Sequence, residues 1–461
     1  ALSYFEAALQ VHPGYTEAHT NLGKFLQDAG DAEKAIAQYD KCLMVNPLCD
    51  NAAHNRLLAC NYSVVRSVDE VTREHEVWGQ QFALRASQVK AHTLPDAQPG
   101  EAGLEHRNTP DRARQLRIGY LSPDFNTHSV AYFAEVPLRC RVGGRSHVVC
   151  YCSSMKEDET TRRMKKQADE WRVVFGKRAE EVAAMVRADA IDILVELAGH
   201  TAGNRLDVMA LRPAPVQITW IGYPNTTGLR EIDYRITDAY ADPPESTQRF
   251  TEELLMMPES FLCYTPPSDP PEVSRAPSEG LGHVTFGSFN NVAKINGKVV
   301  QLWARIMNAL PDSRIVFKSR AFATKCVREG CEAAFRAAGV AGQRVDTLMV
   351  TATTDDHLKS YSRMDLSLDT FPYAGTTTTL ESLLMGVPVV TLRGVGGSCT
   401  HSHNVGVSIL HQIGLQELVA GDEEEYVKIA VELGSDLARM AELRKVLRER
   451  LLQSPLCDGT R

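Results

Sequence analysis

Residues 366–392 read LSLDTFPYAGTTTTLESLLMGVPVVTL, and this stretch decides the fold. The apolar run Leu366–Asp369 predicts a strand, Leu380–Met385 a helix, and Val387–Leu392 a second strand. Strands that alternate with helices in this way are typical of a parallel, doubly wound sheet. A glycine and four threonines, residues 375–379, stand where the first strand turns into the helix.

The same alternation extends upstream over two regions of the chain. The nearer region has predicted strands at Val284–Phe289 and Ser313–Lys318, with a helix at Val299–Ala309 between them. The earlier region has predicted strands at Leu116–Leu121, His147–Cys152, Ile191–Leu197 and Val216–Ile221, and predicted helices at Thr160–Trp171 and Arg178–Arg187. The sequence therefore predicts an α/β region of two Rossmann-like lobes with a ligand cleft between them.

A helical repeat precedes these lobes. Pro13 recurs as Pro47, one tetratricopeptide period of about 34 residues later. Leu22-Gly23 and Tyr39 stand where such a unit is expected to have them, although a generic helical hairpin is the alternative. Because one unit cannot bury its own apolar face, we expect the last repeats of a longer array, with the natural N-terminus missing.

These patterns predict five segments along the chain. Proline-rich stretches mark the two linkers, one with Pro95, Pro99 and Pro110 and one that begins at Pro266. The predicted segments are repeats over 1–47, capping helices and a linker over 48–110, an N-terminal lobe over 111–265, a proline-rich linker over 266–282, and a C-terminal, nucleotide-sugar-binding lobe over 283–461.

Composition narrows the class of protein. The chain has 461 residues and a formal net charge of -8, which argues against nucleic acid or an anionic membrane as partner. No apolar run approaches the roughly 18 residues that span a bilayer. The 11 cysteines are scattered, which predicts reduced packing residues of a cytosolic or nuclear protein.

The threonine run predicts an anion site. Free backbone N–H groups and hydroxyls at a helix N-terminus suit a pyrophosphate. The alternative is that the threonines only cap the helix, but one threonine would be enough for that. Lys294 follows a predicted strand and two asparagines, where its charge would neutralise a departing diphosphate without a metal; a solvated surface lysine is the other interpretation.

Histidines supply the remaining candidates. His128, with Asp124 four residues before it, follows the first strand of its lobe, and His200 follows another strand. A general base or an acceptor-positioning group is one interpretation, and a structural histidine is the other. His401 and His403 have metal-like spacing, but no matching set of Cys, Asp or Glu completes a site, so no metal is expected.

These residues match a known family. The chain resembles intracellular protein O-glycosyltransferases that join tetratricopeptide repeats to a two-lobed glycosyltransferase-B region. It is most similar to their plant SPINDLY branch, the protein O-fucosyltransferases that use GDP-fucose. The O-GlcNAc transferases, which use UDP-GlcNAc, are the sister branch. The resemblance depends on long, unusual strings, among them 119–125 (GYLSPDF), 220–228 (WIGYPNTTG), 286–291 (FGSFNN) and 368–379 (LDTFPYAGTTTT).

The resemblance implies a role for each phosphate-site residue. Lys294 matches the lysine that binds the donor diphosphate. Asn291 stands where O-GlcNAc transferases carry a diphosphate-contacting glutamine. Thr377 and Thr378 match threonines on the phosphates. Thr376 replaces a histidine that O-GlcNAc transferases carry at the sugar and phosphate site, which favours the SPINDLY branch.

The resemblance also assigns the two ends of the donor. Glu381 matches an aspartate that holds the nucleotide ribose. His357 matches a histidine stacked near the base, and Ala352 matches a residue whose backbone reads the base. His128 matches a histidine beside the reacting centre and is a candidate base only. His200 and Asp124 are candidates for the acceptor or sugar side.

The resemblance thus implies an inverting transferase, without metal or other cofactor, that moves fucose from GDP-fucose to Ser or Thr of nuclear and cytoplasmic proteins. A UDP-GlcNAc-dependent enzyme is the alternative, and the short interlobe linker favours the SPINDLY branch. Acceptor proteins are expected to bind the repeats, and a homodimer through the missing repeats is a further hypothesis. The rival from another class is a repeat scaffold with inactive lobes.

Overall fold

The computed structural model describes residues 2–93, 106, 108–111, 113–141 and 144–461. It contains two units: Ala1–Val68 with Ala239–Thr247 and Pro266–Asp458, and Asp69–Asp238 with Gln248–Thr265 and Gly459–Arg461. The repeats and the C-terminal sheet therefore belong to one unit, which we call the donor unit, and the N-terminal sheet belongs to the other. The predicted linker around Pro95 and Pro99 lies outside the described residues. The five predicted boundaries stay a prediction.

Helices fill the described part of the first 93 residues. They are α1 (Leu2–Val11), α2 (Thr16–Asp28), α3 (Ala32–Val45), α4 (Asp50–Cys60) and α5 (Val68–Thr93). Helices α2 and α3 pack closely because Gly23 has no side chain: a Cβ there would lie 2.6 Å from the ring of Tyr39. Asp31 caps α3 by accepting from the backbone N–H of Lys34 (3.1 Å). The helical pair that the repeat signature predicts is therefore present as α2 and α3.

The unit that lacks the repeats contains a seven-stranded sheet. Its strands are β1 (Leu116–Ser122), β2 (Ser146–Cys152), β3 (Glu170–Val173), β4 (Ile193–Glu196), β5 (Val216–Thr219), β6 (Tyr234–Asp238) and β7 (Glu253–Met257). Their order is β3-β2-β1-β4-β5-β6-β7, and every pairing is parallel. The helices are α6 (Ala131–Arg139), α7 (Glu159–Gln167), α8 (Ala179–Ala188) and α9 (Leu206–Met209).

One predicted helix of this unit is wrong at its end. Helix α7 stops at Gln167, and Trp171 lies in β3 instead of the predicted helix. Trp171 pairs with Cys150 of β2, and the Asp169 carboxylate accepts from the backbone N–H of Val148 at 2.7 Å. Pairing with β2 therefore overrides the local helical pattern, a contact that the sequence pattern alone does not contain.

The donor unit contains a six-stranded parallel sheet. Its strands are β8 (Thr285–Ser288), β9 (Arg314–Lys318), β10 (Val345–Leu348), β11 (Leu366–Leu368), β12 (Val389–Leu392) and β13 (Val419–Ala420), in the order β10-β9-β8-β11-β12-β13. The helices are α10 (Ser278–Leu281), α11 (Gly297–Ala309), α12 (Lys325–Ala337), α13 (Thr354–Lys359), α14 (Thr377–Leu384), α15 (His401–Gln412), α16 (Glu423–Ser435) and α17 (Leu437–Leu452).

The strand order of each sheet reverses once, between β1 and β4 and between β8 and β11. Ligands of open α/β sheets bind outside the carboxyl ends of the strands at such a switch point. Lys294 follows β8 and Gly375 follows β11, whereas Asp124 follows β1 and His200 follows β4. The fold of each unit thus places the candidate residues at the expected edge.

The proline-rich segment from Pro266 to Gly282 is packed against the C-terminal helix. It contains α10, and Arg444 of α17 donates to the carbonyl oxygen of Ser274 (2.7 Å). This contact makes the segment part of the donor unit.

None of the described helices is both long and apolar enough to cross a membrane.

Candidate active site

Lys294 ends a short turn that follows β8. Asn291 begins this turn, and its side chain accepts from the backbone N–H of Ala293 (3.1 Å). Nζ of Lys294 donates to the carbonyl oxygen of Ala374 (2.7 Å) and lies 4.0 Å from the ring centroid of Tyr373. The ammonium is therefore held against the loop that leads from β11 to α14, and the interpretation as a freely solvated lysine is excluded.

The surroundings of Lys294 alter its protonation. Burial lowers the pKa of its ammonium to about 8, and the nearby Asp369 carboxylate opposes part of this effect. A partly desolvated cation gains more from an anionic ligand than a fully hydrated one does. The local structure thus favours a negatively charged ligand at this position.

Asp369 organises the loop behind the lysine. Its Oδ1 accepts from the backbone N–H groups of Gly375 (2.7 Å) and Thr370 (2.9 Å), and its Oδ2 accepts from the hydroxyl of Thr391 (2.8 Å). Burial raises the pKa of this carboxyl, against the lowering by these hydrogen bonds and by Lys294. Asp369 therefore fixes the turn that presents the start of α14.

The threonine run begins α14 as predicted. Thr376 is the N-cap residue, yet its side chain makes no capping hydrogen bond within the described part of the chain. Thr378 donates its hydroxyl to Oδ1 of Asn290 (3.0 Å), and Thr379 is buried. Thr376 and Thr377 are partly exposed, so their hydroxyls lie at the surface of the helix N-terminus. The geometry fits the anion-site interpretation better than the capping interpretation.

A chain of polar contacts links the end of β9, through α13, to α14. Nζ of Lys318, at the end of β9, donates to Nδ1 of His357 (2.6 Å), and Nε2 of His357 lies 2.8 Å from Oε2 of Glu381. The hydroxyl of Tyr361 donates to the same oxygen (3.1 Å). Burial lowers the pKa of the Lys318 ammonium. Ala352 is exposed in the loop before α13. His357 and Glu381, expected at the base and ribose, are thus neighbours.

Sequence reasoning missed four residues of this region: Asn290, Lys318, Tyr361 and Asp369. Lys318 carried a usable signal, since it is the only charged residue at the carboxyl end of the predicted strand Ser313–Lys318. Asp369 likewise ends a predicted strand. Tyr361 carried no such signal, because it stands in helical sequence without a motif of its own.

His128 and Asp124 lie together after β1. Nδ1 of His128 is 3.6 Å from Oδ1 of Asp124 and accepts from the backbone N–H of Val130 (3.3 Å). Burial raises the pKa of the Asp124 carboxyl, against the lowering by His128 and Lys156. With Nδ1 accepting, a neutral His128 carries its proton on Nε2. Before Nε2 can accept a proton, the ring proton must move to Nδ1, and the hydrogen bond from the Val130 N–H to Nδ1 must break.

His200 is a packing residue, which corrects the expectation that it faces the acceptor or sugar. It is 1% exposed, and its Nε2 lies 2.9 Å from the carbonyl oxygen of Thr227. Its ring packs edge-on against Trp78 and Tyr223. Gly199 has φ 52° and packs closely on Tyr223, because a Cβ at this position would lie 2.2 Å from Cβ of Tyr223.

His401 and His403 have separate partners. Nδ1 of His401 lies 2.7 Å from Oδ2 of Asp242, and burial lowers the pKa of His403 to about 4. In the part of the chain that the structure describes, no group of three His, Cys, Asp or Glu side chains is placed to hold a metal ion.

Comparison with known proteins decides the family. Residues 101–265 and 276–461 match the model of glycosyl transferase family 41, and residues 1–59 match a tetratricopeptide repeat model. The chain belongs to glycosyl transferase family 41. The repeat prediction is thereby confirmed, and the relatives described next confirm the resemblance to SPINDLY proteins.

The relatives separate two groups. The chain is 48% identical over 421 residues to a Petunia hybrida protein named probable UDP-N-acetylglucosamine–peptide N-acetylglucosaminyltransferase SPINDLY, a match that covers 90% of this chain and 43% of that protein. A protein of Arabidopsis thaliana with the same enzyme name but called SEC is 28% identical, over 76% of this chain and 36% of its own length. The chain spans less than half of these curated relatives.

A solved structure confirms the predicted fold. A mutant O-GlcNAc transferase of Thermobaculum terrenum matches with a TM-score of 0.90 and 34% sequence identity, over 100% of this chain and 84% of that one. The repeats followed by two Rossmann-like lobes of the glycosyltransferase-B type are therefore the fold of this chain.

Proposed function

We propose that the chain is the catalytic region of a protein O-glycosyltransferase that moves a sugar from a nucleotide sugar to Ser or Thr hydroxyls of other proteins. The position of Lys294 supports this most strongly. Its ammonium contacts the carbonyl oxygen of Ala374, two residues before the N-cap of α14. A cation and a helix N-terminus thus meet at one turn, and both favour a diphosphate.

In the proposed reaction the acceptor hydroxyl attacks the anomeric carbon opposite the diphosphate, which inverts the configuration. The bond between that carbon and the phosphate oxygen breaks, and its electron pair leaves with the nucleoside diphosphate. Lys294 and the N–H groups of α14 offset the charge on the leaving oxygens, so the proposal includes no metal and no other cofactor. The hydroxyl proton passes to a base, for which His128 is the candidate.

We propose fucose from GDP-fucose as the donor. The support is Thr376, a small, partly exposed hydroxyl residue where the O-GlcNAc transferases that the chain resembles carry an imidazole. UDP-GlcNAc is the second candidate, because relatives that are 48% identical carry N-acetylglucosaminyltransferase in their names. A site that pairs the polar edge of one base rejects the other, since its own groups would stay unpaired.

We further propose that acceptor proteins bind along the tetratricopeptide repeats and that the protein acts in the nucleus and cytoplasm. Stacked repeats form an extended surface suited to a protein partner. A homodimer belongs to the same proposal.

Calorimetry with GDP and UDP tests the donor assignment. We expect GDP to bind at least about tenfold more tightly, a difference of roughly 1.4 kcal/mol. Tighter binding of UDP would favour the GlcNAc donor. Lys294→Ala should weaken the binding of both nucleotides. Transfer from GDP-fucose and from UDP-GlcNAc to a nuclear protein extract completes the test. Nucleotide binding without any transfer would favour the inactive scaffold instead.

A further inference from the structure

The residues just after α4 contact the loop between β11 and α14, and both belong to the donor unit. Tyr62, which follows α4, stacks on Tyr373, with ring centroids 5.2 Å apart and ring planes 15° apart. Tyr62 is 7% exposed, so this contact is buried. Tyr373 stands two residues before Gly375, in the loop that Asp369 organises. A residue just after the repeats thus packs against the loop of the proposed phosphate site.

Tyr373 in turn holds Lys294. The ring of Tyr373 lies 4.0 Å from Nζ, and the next residue, Ala374, accepts the hydrogen bond of the same ammonium. A cation is attracted to an aromatic face, so the position of the ring helps to set the position of the charge. A continuous series of contacts therefore runs from Tyr62 through Tyr373 to Lys294.

A second repeat helix reaches the turn that carries Lys294. Gly30, just after α2, has φ 88°, and a Cβ there would lie 3.1 Å from the carbonyl oxygen of Val292 and 3.4 Å from that of Ile295. Val292 and Ile295 lie on either side of Lys294 in sequence. The repeats therefore approach the turn that carries the lysine, and Tyr62, just after them, packs against the loop that covers it.

We propose that Tyr62 is a positioning residue for the donor site: through Tyr373 it holds Lys294 where it meets the donor diphosphate. This inference rests on the proposed function, because it takes Lys294 as the diphosphate ligand. Tyr62 itself touches no substrate. Since coupling between two sites is reciprocal, an acceptor that displaces the end of α4 also alters the affinity for the donor.

The test measures the dissociation constant of GDP, or of UDP if it binds more tightly, on the full chain. We expect Tyr62→Leu to weaken binding roughly tenfold, because the aromatic support of Tyr373 is lost. Tyr62→Phe keeps the ring and should stay within about twofold. Phe335→Leu is the control: Phe335 is a buried ring of the same unit, in α12, where it packs against Phe317 and not against Tyr62 or Tyr373.

Two further measurements separate positioning from general damage. In a Lys294→Ala background, Tyr62→Leu should cause no additional loss, since the contact that it supports is already gone. The pH above which GDP affinity falls should also rise in Tyr62→Leu, because Lys294 regains water. The groups that face Lys294 are Asp369 and the phenol of Tyr373, and both are unchanged in this variant.

The outcomes distinguish the two proposals. Unchanged nucleotide binding in Lys294→Ala overturns the proposed function, and the positioning role with it. Weakened binding in Lys294→Ala but full affinity in a folded Tyr62→Leu overturns the positioning role alone. If circular dichroism shows that Tyr62→Leu is unfolded, Tyr62→Met replaces it, because its longer, flexible side chain adapts to the space without a ring; full affinity in that variant has the same consequence.

Discussion

Replacement of Lys294 should change activity and stability in different ways. Burial lowers the pKa of this ammonium from 10.5 to about 8. At neutral pH the folded protein therefore holds the charge at a cost of about 3 kcal/mol, since one pKa unit corresponds to about 1.4 kcal/mol. This cost is fully present below pH 8 and disappears as the pH rises from 8 towards 10.5.

Lys294→Ala removes that cost but also removes the donor to the buried Ala374 carbonyl oxygen. An unsatisfied buried acceptor costs about 1–3 kcal/mol. The two effects nearly cancel, so the free energy of unfolding should stay within about 2 kcal/mol of the original value. Turnover should fall on the order of 100-fold or more, as expected when a charge contact of the transition state is lost.

The assay combines urea unfolding with initial rates of sugar transfer to a protein extract. Lys294→Gln keeps a donor for Ala374 without the charge and should be as inactive as Lys294→Ala. Lys294→Arg keeps the charge and should retain more activity than either. Full turnover in the alanine or glutamine variant, or a loss of turnover that matches a loss of folded protein, would refute the assignment.

Three further outcomes are expected. Excess EDTA should leave transfer rates unchanged, and a loss restored by Mn²⁺ or Mg²⁺ would contradict the metal-free proposal. The affinity for GDP should fall as the pH rises from 7 through about 8 and beyond, since Lys294 loses its proton with a pKa of about 8; Lys294→Arg should show no such fall. Gly375→Ala should weaken GDP binding on the order of tenfold, because its Cβ would lie 2.6 Å from the hydroxyl oxygen of Thr378 and 2.7 Å from that of Thr379. Gly297→Ala is its control, since a Cβ there has no described atom within 4 Å; equal binding in both variants would argue against the phosphate site.

The local sequence pattern predicted the positions of strands correctly where an apolar run stands next to a turn signal. The strands β1, β2, β8, β9 and β12 lie within a residue or two of their predicted positions, because each is an apolar run next to a turn signal. Strand β3 was missed, and Trp171 was placed in a helix, because the pairing with β2 joins residues that are far apart in sequence.

The candidate site divides in the same way. Lys294 and the threonine run could be found because they follow predicted strands of a parallel sheet, whose carboxyl ends share one edge. His200 had the same kind of position and proved to be a packing residue. Sequence position specifies the end of the sheet, but only packing against Trp78 and Tyr223 decides whether a side chain there is accessible.

The sequence by itself determined the fold class, the repeat and the residues that match the family, because periodicity and motifs are properties of consecutive residues. Tertiary structure alone decided that Lys294 contacts Tyr373 and Ala374, about 80 residues later in the chain, and that Tyr62, just after the repeats, stacks on Tyr373. The lowered pKa of Lys294 has the same origin, since desolvation depends on which distant residues exclude water from the ammonium.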